Sequence, residues 1–259
     1  MTDAIKRFRR YSMDNLPKKD LVWLARTHFS KKADSDVTDD NLVELLKDKR
    51  TLKQIAYGEK ALNAVLGDEE SSKEISPYLM FSILYNKVVE RFGFRIDESS
   101  WFGENTYSLL VGSEEEKENN LLKKEGFKDY LINVLISYSN KGFKQKYFID
   151  MLKEKQRGHA FEKFQKDIEI GNYALFMVSQ FSKHIEYRNK YKKRVGIEYY
   201  GDMGKAGFES ASRAVFPKDD DKNMFRKLSR SFDTAVQSLK TMKEKYFRET
   251  PNSLILGEN

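Results

Sequence analysis

Only four prolines and fourteen glycines interrupt 259 residues, and that scarcity of breakers constrains the fold more than any motif. A sheet protein turns back every few residues and needs turn formers to do it, whereas this chain runs for long stretches without one. In those stretches apolar residues recur three and four positions apart, which gathers them on one face of a helix. Hydrophobic residues at 39% and aromatics at 13% supply enough material for a core. The expectation is an all-α chain, an irregular multi-helix bundle of about nine helices, with no strand and no solenoid repeat.

Pro17 suits a first helical turn and predicts a helix from about Asp20 to Phe29. Thr38 reads as the N-cap of a helix through Leu42, Leu45 and Leu46. Leu52, Ile55, Leu62 and Val65 suggest one helix over 50–66, followed by an acidic loop over 67–73. Ser76-Pro77 is the clearest start signal, a capping hydroxyl followed by proline at the first helical position. Its helix carries Leu79, Ile83, Leu84, Val88 and Phe92 on one face and ends at Gly93. Residues 94–112, with Trp101 and Phe102, read as a loop over the core. An acidic first turn over 114–124 leads to a helix interrupted at Gly126 and continuing from Phe127 to Ser139. Further helices are expected over 144–156, 159–193 with a break near Gly171, 199–215 and 223–247. A smaller N-terminal part (1–74) is expected to pack on a main part (75–250), with a frayed tail over 251–259.

The chain has no cysteine, which excludes disulfides, thiolate metal sites and a cysteine nucleophile. No apolar leader follows the basic N-terminus, and the longest apolar run, Tyr173 to Val178, is far too short to span a bilayer. A cytoplasmic location is the expectation.

The formal net charge is +7, and it is unevenly placed. Residues 141–200 contain fourteen Lys/Arg against seven Asp/Glu, so this segment carries the whole surplus. Within it, Arg188, Lys190, Lys192, Lys193 and Arg194 place five cations in seven residues, interleaved with Tyr187 and Tyr191. So many charges surround the end of a helix and cannot be buried there. One reading is a cationic last turn that complements the helix dipole. The other is a surface that neutralises phosphates or acidic side chains, with Tyr191 to stack on. Lys183 and Lys205 extend that surface if the helices on either side of Gly196 fold back together. Lys6-Arg7-Phe8-Arg9-Arg10-Tyr11 is a second block of the same kind.

Gly201-Asp-Met-Gly204-Lys205-Ala-Gly207 invites a phosphate-loop reading but fails it: Ala206 follows the lysine where Ser or Thr is needed, and no strand precedes. Gly204, Gly207, Ala211 and Ala214 instead fall at helical spacing and form a small face that lets a second helix approach. The three histidines, His28, His159 and His184, lie in no metal or nuclease pattern, and His159 with Glu162 reads as a surface pair. No serine elbow is present. Asn172, after Gly171 and before six apolar residues, is either an N-cap or a buried hydrogen-bonding group, with the cap favoured.

Three stretches, Ile75-Ser-Pro-Tyr-Leu-Met-Phe81, Gly171-Asn-Tyr-Ala-Leu-Phe176 with His184-Ile-Glu-Tyr-Arg188, and Tyr199-Tyr-Gly-Asp-Met-Gly204-Lys-Ala-Gly-Phe208, resemble an uncharacterised family of all-helical bacterial cytoplasmic proteins. The resemblance covers about 75–247. It departs after Phe176, where the family usually has a proline and this chain reads Ser179-Gln-Phe-Ser182. It implies a helical fold and brings no catalytic residue with it.

The functional expectation is a non-catalytic binding or regulatory protein that meets an acidic protein partner through Lys183, Arg188, Lys190, Tyr191, Lys192, Lys193, Arg194 and Lys205. Direct nucleic-acid binding through the same face and the N-terminal basic block is the alternative. An enzyme whose site has no linear motif is the third. No catalytic residue, metal or cofactor is assigned.

Overall fold

A computed structural model describes residues 10–29, 48–67, 74–92, 121–139 and 146–247. Among them there are ten α-helices and no strand, so the fold is all-α. In chain order the helices are α1 (Lys18–Phe29), α2 (Lys49–Ala56), α3 (Glu59–Gly67), α4 (Pro77–Phe92), α5 (Glu125–Ser139), α6 (Phe148–Arg157), α7 (Ala160–Lys192), α8 (Ile197–Arg213), α9 (Asp219–Arg230) and α10 (Phe232–Tyr246). The expected helix after Thr38, the loop with Trp101 and Phe102, most of the first basic block and the tail lie outside the described residues.

The long helix α7 is the axle of the bundle. Every residue from Ile170 to Gln180 is buried, because α5, α6, α8 and α10 pack around it. This explains the run from Tyr173 to Val178: a helix enclosed on all sides is apolar on all sides. α8 turns back along α7, and the small-residue face makes the crossing close. A Cβ on Gly207 would lie 2.7 Å from the Asp167 carbonyl oxygen and 2.9 Å from the Gly171 nitrogen. One on Gly204 would meet the Phe232 ring, with the Ala174 Cβ at 2.9 Å. Ala211 is buried on the same face, whereas Ala214 lies just past the helix as its C-terminal cap. Phe208 is fully buried beside this crossing, parallel to Phe225 and edge-on to Tyr130.

Ser76 starts α4 as its sequence suggests. Its hydroxyl accepts from the backbone N–H of Leu79, the third helical residue. The tertiary structure adds a partner: buried Asp20 on α1 accepts from the Ser76 N–H at 2.7 Å and from its hydroxyl at 2.5 Å. A carboxylate buried at a helix N-terminus is stabilised by those donors and by the helix dipole. α1–α3 contribute Trp23, Leu24, Leu52, Ile55 and Leu62 to the same apolar core as the rest of the bundle.

Several boundaries differ from the sequence reading. The helix expected over 50–66 is two, α2 and α3, separated at Tyr57-Gly58. The helix expected over 223–247 is also two, α9 and α10, separated at Ser231. Gly126 sits in the first turn of α5 and does not interrupt it. α7 does not break at Gly171. A Cβ there would lie 2.8 Å from the Phe208 ring, so the glycine serves the approach of α8 and not a turn. The departure from helical geometry comes ten residues later, at Phe181 (φ −126°, ψ 22°). The preceding Ser179 returns its hydroxyl to the Phe176 carbonyl, a local bond that bends helices. Asn172 is no cap: it is fully buried inside α7, where its Oδ1 accepts from the Tyr130 hydroxyl.

Candidate binding surface

The last turn of α7 and the turn into α8 carry the basic block. Lys193 ends the helix in the left-handed region (φ 48°), the only positive φ outside glycine among the described residues. The Arg188 carbonyl accepts from the backbone N–H of Arg194 at 3.3 Å. Gly196 then caps α8, where a Cβ would lie 2.7 Å from Glu198 Oε2 and 2.9 Å from Asn189 Nδ2. The reversal is therefore tight, and α8 does fold back beside the end of α7.

Lys183, Lys190, Tyr191, Lys192, Lys193 and Arg194 are all exposed, and Arg188 is half-buried. None of these cations forms an ion pair among the described residues. Over 183–194 six Lys/Arg meet one carboxylate, Glu186. Lys205, by contrast, does not join the group. It is half-buried and ion-paired at 2.7 Å to Asp233, while its carbonyl accepts from Ser229. Its charge is spent holding α8 to α10.

Aromatic rings interleave with these charges. Tyr187 and Tyr191, one helical turn apart, are 54% and 62% exposed, with ring centroids 4.8 Å apart and planes inclined by 43°. Lys190 Nζ lies 5.2 Å from the Tyr191 centroid, within cation–π range. Arg188 faces the other way, toward a second cluster. There Phe148, at the start of α6, packs edge-on against Tyr173, Tyr199 and Tyr200. Burial pushes the Tyr173 phenol up to about 12, while its bond with the Lys146 backbone and the Arg188 charge pull it down. Burial raises the Tyr200 phenol as well, again against Arg188. Tyr147 is near enough to act on both phenols and is half exposed, as is Tyr199 to a lesser degree. Tyr147 and Tyr199 were not singled out from the sequence; only the packing of α6 on α7 and α8 brings them to this end.

The histidines do other work. His159 caps α7, with Glu162 reaching back to accept from its backbone N–H at 2.8 Å, so the expected surface pair is half of a capping box. Among the described residues no group of three His, Asp or Glu side chains is placed to hold a metal ion, and no helix is long and apolar enough to cross a membrane.

Comparison with known proteins brings nothing to this surface: no family model, no curated protein and no solved structure matches the chain.

Proposed function

We propose that this chain is a non-catalytic binding protein that recognises an acidic partner through the basic, tyrosine-bearing end of α7. The observation that carries the reading is charge without neutralisation: Arg188, Lys190, Lys192, Lys193 and Arg194 crowd one helix end, Lys183 lies on the same helix before them, and none of the six is ion-paired among the described residues. A helix dipole is complemented by one or two cations in the last turn, as Lys190 and Lys192 are; the four further cations exceed that need. The polyanion supplies what the fold withholds, and its field draws it in over about a Debye length. The reading includes residence in the cytoplasm, in keeping with a chain that uses no cysteine.

The test is capture from an extract of the source cells, with and without nuclease treatment, by the full chain and by its Lys190→Gln, Lys192→Gln, Lys193→Gln variant. The variant retains the helical circular dichroism of the parent and loses the acidic partner, with the largest difference at low salt, where screening is least. Equal recovery of every partner by parent and variant refutes the reading.

A further inference from the structure

Lys183, Tyr187, Lys190 and Tyr191 lie four, seven and eight positions along one helix, so they form a single exposed ridge. At 1.5 Å per residue the ridge runs about 12 Å, and exposed Lys192, Lys193 and Arg194 follow at the helix end. Cations and tyrosine rings alternate along it. We infer that this ridge binds single-stranded nucleic acid, with bases stacked on Tyr187 and Tyr191 and phosphates on the flanking Lys183, Lys190, Lys192, Lys193 and Arg194. The inference rests on the proposed reading of the α7 end as a binding surface, and names its partner.

The rings decide between polyanions. A carboxylate can accept from the hydroxyls of these two tyrosines, which are more than half exposed, but it gains nothing from their apolar ring faces. More than half of each side chain stays in solvent even though the two centroids lie 4.8 Å apart, and the rings do not stack in parallel on one another. A base has a flat π-face to lay on such a ring, and the interaction is tolerant of which base it is. In a duplex those faces are already covered by neighbouring base pairs, so a duplex engages the cations and leaves the rings idle. The charges also stand on more than one side of the helix end, because Lys190 and Lys192 are two positions apart on the helix and Lys193 itself takes the left-handed conformation. A flexible phosphate chain wraps such an end; the flat face of an acidic helix meets one side of it.

The experiment is fluorescence anisotropy of the full chain with four labelled probes: single-stranded DNA and single-stranded RNA of mixed sequence, the duplex of that DNA, and polyglutamate of matched charge. The single strands bind tighter than duplex or polyglutamate. Tyr187→Ala with Tyr191→Ala weakens them by about tenfold or more, the scale of lost base–aromatic stacking, and leaves the duplex and polyglutamate unchanged. Tyr187→Phe with Tyr191→Phe keeps the parent affinity. Changing Lys190, Lys192 and Lys193 to Gln lowers the slope of log affinity against log salt for single strands by about 2, at about 0.7 per phosphate contact. Duplex or polyglutamate binding as tight as the single strands, or alanine variants that bind single strands as the parent does, overturns the inference while the acidic-partner reading stands. Failure of all four probes to bind at low salt overturns both.

Discussion

Lys243 on α10 donates its ammonium to the backbone carbonyl of Gln180, one residue before α7 leaves helical geometry at Phe181. The same ammonium sits 5.6 Å from the Phe181 ring centroid. The bend in the central helix is thus held by a side chain from a neighbouring one, and burial keeps the Lys243 ammonium below its ordinary value.

Lys243→Met keeps the stem packing over Phe181 and removes the donor. The expected cost at neutral pH is about 1 kcal/mol, the net worth of one hydrogen bond, read from urea unfolding. The sign of its pH dependence follows from the lowered value. The folded chain gives up the proton before the unfolded chain does, so this group's contribution to stability rises with pH between its folded value and 10.5. The Met variant lacks that rise, and its deficit against the parent widens in alkali. A deficit that does not change with pH disproves the assignment.

Gly207→Ala adds one methyl at the crossing of α7 and α8. The atoms it meets are backbone, the Asp167 carbonyl and the Gly171 nitrogen, which cannot swing aside. The expected loss is on the overpacking scale, about 1–3 kcal/mol. An alanine variant with the parent's melting temperature means that the helices do not cross this closely.

Lys193→Gly acts in the opposite direction. A side chain in the left-handed region costs about 1 kcal/mol, and glycine removes that cost. The variant should unfold at higher denaturant concentration, while losing one of the cations proposed to bind. Stability and affinity then move apart, which a charge-only or backbone-only account of this turn does not produce.

Alkaline pH should unfold the protein through its tyrosines. Burial raises the phenols of Tyr78, Tyr85, Tyr173, Tyr200 and Tyr246 above 10.0. The stability they contribute is complete below that value and is lost as pH climbs above it, because the unfolded chain releases these protons first. Among the described residues, five groups of one sign outweigh the one opposing Lys243. The denaturation midpoint should fall steadily above about pH 10, with phenolate absorbance at unfolding; a flat midpoint there contradicts the burial.

Much of the fold was legible because it follows from local chemistry. Ser76-Pro77 is a strong helix start in any fold, the spacing of Gly204, Gly207 and Ala211 gathers them on one face of any helix, and of five cations in seven residues four stay in water, with Arg188 half-buried. Those rules concern neighbours in the chain, and the all-α class, the start of α4 and the exposure of the α7 end rest on them. The misread positions all depend on partners distant in sequence. Gly171 stays helical because the Phe208 ring leaves no room for a side chain. Ser231 interrupts a helix with no proline or glycine to mark it, and the residue after it, Phe232, fills the space left by Gly204. Asn172 is buried because Tyr130 offers it a hydroxyl, and Lys205 leaves the basic surface because Asp233 takes its charge. Periodicity in the sequence can place a residue on a helix face; which ring, carboxylate or carbonyl waits opposite that face is decided only when helices dozens of residues apart are packed together.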